Sequence, residues 1–318
     1  MFTVNRCSLR HLWCLAALVL LLQTACRSGD ADSVAPPAKP VAAVQAMTRA
    51  LAANDLQAYA RLSVPPRQYA QLEQAWAEGH SRWPLTELPL HDQLLPMLQA
   101  LSAEDGAAGL QRSFDAQLAG QATAVRQAAR SMGVFGVQYL RHQDTYTPSQ
   151  QAHYIQVVET LAAWAADAPL SDRARARASI AALVQAARAV GIDDDAQLQQ
   201  LGMEPSLQRI GPFLASLKSV LSSYGLDLDA SLRGVTGDVI SEEGDNALLR
   251  LHYPLADKTV SLQIPVPRRD GQWYLTRTLA DTDALLRNAQ QARQARADAD
   301  VADAPETTQR ADAPPAKP

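Results

Sequence analysis

The hydrophobic pattern of the chain changes after Gly225, and this change constrains the fold class more than any other feature. Before it, apolar residues such as Ile155, Val158 and Leu161 recur every three or four positions, which is the spacing of one helix face. After it, apolar and polar residues alternate over residues 235–276, which is the spacing of half-buried strands. We therefore expect an α+β fold with a mainly helical body first and strands after it.

The alternating region predicts four β-strands that are joined by short turns. The predicted strands are residues 235–241, 246–253, 259–266 and 272–276. The link Asp270-Gly271, flanked by strand patterns, is a strong hairpin signal. Because short links pair neighbouring strands antiparallel, we expect a four-stranded antiparallel β-meander over residues 235–278. A C-terminal helix is predicted over residues 279–297.

The domain boundaries follow from composition. Residues 41–224 are expected to be helical, and residues 41–297 are expected to form a single α+β domain. Residues 225–233 are too short and too apolar for a free linker, so the helices and the meander share one core. Outside this domain, residues 26–40 are predicted to be a disordered tether and residues 298–318 a disordered tail, because both are polar and rich in Pro and Ala.

One face of the predicted meander is polar and supplies the candidate site. Arg250, His252, Gln263 and Tyr274 lie opposite the apolar positions of their strands. Two interpretations stay open. These side chains line a cavity between the sheet and the helices, or they form the solvent side of an exposed sheet. On the first interpretation they form a ligand-binding pocket.

The three cysteines of the chain all lie in its first 26 residues, and the last of them is Cys26. Residues 1–25 have the parts of a secretory signal peptide, which are a basic start, an apolar stretch and small residues before the cleavage point. The apolar stretch, residues 12–22, is shorter than the about 20 residues that a membrane-spanning helix needs. A retained N-terminal membrane anchor is the alternative, and the polar residues directly after Cys26 count against it.

The segment Leu22-Gln23-Thr24-Ala25-Cys26 resembles the lipobox of bacterial lipoproteins. In that family the cysteine thiol takes a diacylglycerol, the peptide is cut before the cysteine, and the new amine is acylated, as with palmitate. Ala25 and Cys26 match the two most constrained positions, whereas Gln23 stands where the family usually has Leu. The resemblance implies a protein that is anchored to the membrane through lipid on Cys26. Arg27, in place of the Asp associated with inner-membrane retention, implies the cell outer membrane, with the body facing the periplasm.

A second resemblance concerns the two ends of the domain. The predicted helix that ends in Asn54-Asp55 and the closing Asp270-Gly271-x-Trp273 are similar to features of cystatin-like cone domains of the nuclear-transport-factor-like superfamily. The similarity covers residues 41–62 and 235–278, and the long helical body between them departs from the family pattern. It implies a curved sheet and an apolar pocket, and it brings no catalytic residue to this chain.

Charge, cysteine usage and motifs exclude several kinds of chemistry. The net charge is −4, and removal of the signal peptide makes it more negative, which disfavours nucleic acid as a partner. No thiol remains once Cys26 is acylated, so cysteine catalysis, disulfides and thiolate metal sites are excluded. The histidines lack metal-ligand spacing, and no phosphate loop, nucleophile elbow or dinucleotide fingerprint is present. We predict no cofactor and no metal site.

The acidic run Asp193-Asp194-Asp195 invites a calcium-loop interpretation. Leu198 stands at the sixth position of such a loop, where glycine is needed for the turn. The run is therefore predicted to be a helix N-cap with acidic residues in the first turn.

Together these observations predict a lipid-anchored, periplasm-facing binding or interaction protein of the cell envelope, not an enzyme. Its partner is expected to be a protein or a small apolar ligand. Candidate roles are envelope assembly and immunity against a toxin delivered to the periplasm. The alternative is an envelope hydrolase with an unrecognised carboxylate or histidine site, for which His252, Arg250 and Tyr274 are the residues to substitute.

Overall fold

The computed structural model describes residues 38–89 and 91–302. They belong to one compact unit, and they confirm the predicted α+β class, with one four-stranded antiparallel sheet and twelve α-helices, the last of them C-terminal, among the described residues. The predicted signal peptide, Cys26 and most of the predicted tether and tail lie outside the described residues.

Eleven of the helices in the described part of the chain precede the sheet. They are α1 (Pro40–Ala52), α2 (Leu56–Ser63), α3 (Pro66–Ala77), α4 (His91–Ser102), α5 (Gly106–Gln117), α6 (Ala122–Arg141), α7 (Pro148–Asp167), α8 (Arg173–Val190), α9 (Asp195–Leu201), α10 (Met203–Ser223) and α11 (Leu228–Arg233), with a 3₁₀ turn at Leu85–Glu87. Local sequence signals account for several of the helix starts. Asp194, for example, is the N-cap of α9 and accepts a hydrogen bond of 2.8 Å from the Gln197 N–H, which confirms the helix-cap interpretation of the acidic run.

The sheet has the strand order β1-β2-β3-β4, and every neighbouring pair is antiparallel. The strands are β1 (Thr236–Glu243), β2 (Asn246–Leu255), β3 (Lys258–Arg269) and β4 (Gln272–Trp273), and they are followed by helix α12 (Thr276–Ala302). The apolar face of the long β2–β3 hairpin includes Leu251 opposite Leu262, and its other face includes Arg250 opposite Gln263. The meander is thus the predicted one, with a much shorter last strand.

Two prolines explain why β4 is shorter than predicted and why the last helix begins at Thr276 rather than at residue 279. Pro265 and Pro267 lie on the β3 edge that faces β4, and neither has an N–H to donate to a longer strand. The Pro267 carbonyl still accepts the Tyr274 N–H at 3.0 Å, and the chain then turns into α12. This helix runs to Ala302, past the predicted start of the tail.

The core is divided between the helices and the sheet. The larger cluster joins the helical body and includes Trp76, Trp83 and Phe213, all essentially buried. A smaller cluster lies between α1 and the apolar face of the sheet, where Val44 packs with residues that include Leu249. Helix α1 therefore covers part of the sheet, and this arrangement positions the site described below.

Helices α6 and α7 form a close hairpin that depends on glycine. A Cβ atom built on Gly133 would lie 2.5 Å from the Cβ of Ala162, which is closer than two carbon atoms can pack. The two helix backbones approach each other because Gly133 has no side chain. Outside this contact, α6 is mostly exposed.

We expect Gly133→Ala to lower the free energy of unfolding by about 1–3 kcal/mol, because the added methyl forces α6 and α7 apart. Gly109→Ala in α5 is the matched control, since its Cβ would meet only the Arg112 guanidinium, at 3.9 Å. That control is expected to gain up to about 1 kcal/mol, because alanine favours helix over glycine. Urea unfolding of both variants measures the difference, and equal effects at the two glycines would contradict the close approach.

Candidate functional site

A cavity of about 880 Å³ lies between the sheet and helices α1, α7, α11 and α12. Most of its wall is apolar, and the largest share comes from the β2–β3 hairpin. Its apolar lining includes Val44, Leu251, Leu262, Ile264 and Leu275. The cavity therefore lies against the apolar face of the sheet, at the place where α1 stops covering it.

One end of the cavity is lined by aromatic residues that carry polar atoms. The ring of Tyr154 lies 5.0 Å from that of Tyr146 and 5.4 Å from that of His153, and the His153 ring lies 6.0 Å from that of Tyr253, measured between centroids. All four residues line the cavity. Rings at these distances pack in the tilted and edge-on arrangements that aromatic pairs prefer.

Burial sets the protonation of this aromatic end. It lowers the pKa of His153, against the opposing effect of a hydrogen bond to the Ser261 carbonyl, so the ring is neutral at neutral pH. Because the His153 Nδ1–H donates to the Ser261 oxygen at 2.9 Å, the Nε2 atom is the hydrogen-bond acceptor of the ring. Burial also raises the pKa of Tyr253 to about 12, so its phenol keeps its proton. This end offers an acceptor and a donor without a net charge.

The edge of β3 forms another part of the cavity wall, and side chains satisfy most of its backbone groups. The Ser261 N–H donates to Gln156 Oε1 at 3.1 Å, and the Ser261 oxygen accepts from His153. Pro265 has no N–H, and its oxygen accepts from the Thr276 hydroxyl at 2.8 Å. Helices α7 and α12 thus cap this sheet edge, which otherwise could pair with another strand.

The structure brings one of the four predicted pocket residues to the cavity. Gln263 lines it, and Arg250 is exposed on the other face of the sheet. His252 is half-buried on that other face, with Nδ1 3.0 Å from the Ser261 hydroxyl oxygen. Tyr274 is buried in the larger core cluster and donates its hydroxyl to Gln272. The cavity lies mainly against the apolar face of the sheet, which the helices cover without filling.

Sequence reasoning missed His153 and Tyr253 as cavity residues. Tyr253 belongs to the apolar face in the alternation of β2, and its hydroxyl was the available signal for a polar group on that face. His153 lies on α7, 108 positions before its partner Ser261, and no local pattern connects the two.

The charge distribution bears on the chemistry that the cavity allows. Among its described lining residues there is no carboxylate, and the one cation is Arg277, which is exposed and lies 3.5 Å from the Asp281 carboxylate. Within residues 38–89 and 91–302, no three His, Cys, Asp or Glu side chains converge to hold a metal ion. No helix in the described ranges combines the length and hydropathy needed to cross a membrane.

A separate surface feature lies on α6. Met132 and Phe135 are 73% and 72% exposed, and Tyr139 continues the same stripe one turn further along. The Phe135 and Tyr139 rings stack with centroids 6.5 Å apart. This stripe is a second apolar surface, which a binding experiment must separate from the cavity.

Comparison of the chain with protein-family models, with curated proteins and with solved structures found no match.

Proposed function

We propose that the protein is a lipid-anchored, periplasm-facing binding protein of the outer membrane whose cavity holds a small, mainly apolar ligand. The cavity carries this proposal. A concave, mostly apolar space of about 880 Å³ with a few polar groups in its wall is the usual form of a small-molecule site. Its volume falls within the about 300–1,000 Å³ that is usual for sites of drug-sized ligands.

The lining narrows the class of ligand. Leucine, isoleucine and valine side chains favour an apolar body, and the neutral His153 and Tyr253 favour a polar group that accepts or donates a hydrogen bond. No carboxylate is among the described residues that line the cavity, so the lining does not repel a ligand with one negative charge. A ligand with a positive charge would have no partner there.

The residues that line the cavity favour a binding protein over the alternative function, an envelope hydrolase. Hydrolysis of the kind considered for the envelope needs paired carboxylates or a histidine that activates a nucleophile. In this cavity the Nδ1–H of His153 is bound to a backbone carbonyl, so no carboxylate orients the ring. Of the residues named for the alternative, Arg250 and His252 lie on the polar face of β2, whereas Tyr274 is buried in the larger core cluster.

The envelope location rests on the N-terminal sequence. The signal-peptide pattern and the lipobox-like segment ending at Cys26 support export and lipid attachment, and Arg27 supports the outer membrane. A tethered protein with a ligand cavity suits either candidate role, envelope assembly or immunity against a delivered toxin.

Leu262→Trp is expected to weaken binding of the apolar dye N-phenyl-1-naphthylamine at least about tenfold, because the larger indole takes up part of the space that the dye needs. Dye fluorescence is measured with the chain from Arg27 to Pro318, which includes all helices and strands of the structure. Arg250→Trp is the matched control on the opposite sheet face, and Phe135→Ser removes the central aromatic residue of the exposed stripe on α6.

Both controls are expected to bind the dye as the parent does, with thermal unfolding showing that all three variants are folded. Undiminished dye binding by a folded Leu262→Trp variant would refute the cavity as the binding site. Loss of dye binding in Phe135→Ser alone would assign the dye to the α6 stripe.

A further inference from the structure

We infer that the ligand contains one extended aminoacyl unit, with an N–H and a C=O on the same α-carbon and apolar substituents, and that the Gln263 backbone holds it. The inference rests on the proposed function, since it names the ligand class of that cavity. It comes from the hydrogen bonds along the edge of β3 that faces away from β2.

Every second residue of β3 turns its backbone groups away from β2. In an antiparallel pair, a residue directs its N–H and C=O to the same side, and the side alternates along the strand. Ser261, Pro265 and Pro267 all make their bonds away from β2. On β2, the His252 oxygen faces β1, where it accepts from Thr236, so Leu251 and its partner Leu262 bond to each other across the hairpin.

Gln263 lies between Ser261 and Pro265 and shares their orientation. Its N–H and C=O therefore point to the edge that borders the cavity, and among the described residues neither group has a hydrogen-bond partner. Gln156 and His153 satisfy the residue before this position, and Thr276 satisfies the residue after it. Gln263 therefore presents its backbone N–H as a donor and its backbone C=O as an acceptor to the cavity. The two groups are as far apart as they are within any single strand residue.

The geometry selects the partner group. Two residues of an antiparallel pair exchange two hydrogen bonds, N–H to O and O to N–H, which requires both groups on one α-carbon of the ligand. Because the positions on both sides of Gln263 are occupied, a longer added strand finds no further bonds. A single aminoacyl unit matches the site, and Leu262, Ile264 and Leu275 surround it with apolar surface.

Two matched probes test this inference. N-octanoyl-leucine methylamide carries the complete unit, and its ester analogue replaces the leucine N–H by oxygen and keeps the shape. The amide is expected to bind the chain from Arg27 to Pro318 about ten times more tightly, because the ester leaves the Gln263 oxygen without a donor. Displacement of N-phenyl-1-naphthylamine measures both affinities.

Two variants at one position separate the backbone from the side chain. Gln263→Pro removes the backbone N–H and is compatible with an edge that already holds Pro265 and Pro267. It is expected to weaken binding of the amide probe about ten times more than Gln263→Ala does, because Gln263→Ala keeps the backbone N–H.

The outcomes distinguish this inference from the proposed function. Equal affinities for amide and ester, or an unchanged amide affinity in a folded Gln263→Pro variant, would overturn the role of the Gln263 backbone while dye binding still supports the cavity. A parent chain that binds the dye and neither probe overturns the ligand class. A parent chain that binds no dye overturns the proposed function as well.

Discussion

Lys218→Met is expected to lower the free energy of unfolding by about 3–5 kcal/mol, because it removes the buried cation of an ion pair. Lys218 lies on α10, and only 4% of its side chain is exposed. Its ammonium donates to the carbonyl oxygens of Leu51 and Ala52, at 2.7 and 3.2 Å, and it pairs with the Asp229 carboxylate.

The buried cation joins three elements around the cavity. The carbonyls of Leu51 and Ala52 belong to the last turn of α1, which carries a partial negative charge, and the Leu51 oxygen also accepts the Asn54 N–H at 3.1 Å. Asp229 lies in α11, whose neighbouring residues line the cavity. Lys218 therefore holds the ends of α1 and α11 against α10, and its loss leaves a half-buried carboxylate without its cation and the Ala52 carbonyl without its donor.

Urea unfolding of Lys218→Met measures this effect. Lys258→Met is the control, because Lys258 is exposed at the start of β3, and its loss should change the free energy of unfolding by less than about 0.5 kcal/mol. The double variant Lys218→Met, Asp229→Leu is expected to recover part of the lost stability, since no unpaired charge remains. A loss below about 1 kcal/mol in the single variant would show that the pair is not buried in solution.

Local signals explain what could be predicted from the sequence. The acidic run at residues 193–195 caps a helix through contacts within four positions, and the alternation of β2 and β3 fixes which side chains share a face. The α+β class follows from these short-range patterns, because the spacing of apolar residues in a helix can be told from that in a strand within a few residues.

The cavity could not be predicted in this way, because it depends on contacts between distant positions. Lys218 bonds to carbonyls 166 and 167 positions away, and His153 bonds to Ser261 across 108 positions. The position of a polar residue in a strand pattern shows on which face of the sheet its side chain lies. It does not show which face of the sheet the helices leave uncovered. The prolines at 265 and 267 were a readable signal that β4 must be short.

The largest expected effect on location is that of Cys26→Ser, which should move the protein from the membrane fraction to the soluble fraction. Several acyl chains on one residue give lasting attachment, whereas a chain without them has only its protein surface to bind a bilayer. Fractionation of cells that express the parent and the variant measures the change. Mass spectrometry of the parent should show the diacylglycerol and acyl groups on a chain that begins at Cys26.

Cys14→Ser is the matched control, because Cys14 lies within the predicted signal peptide and should be absent from the mature chain. This control is expected to fractionate with membranes as the parent does, with the same mature mass. A Cys26→Ser variant that is cut at the parent site and still sediments with membranes would refute lipid attachment at Cys26. In that case the exposed apolar stripe of α6 becomes the surface to substitute next, since Met132 and Phe135 are open to solvent.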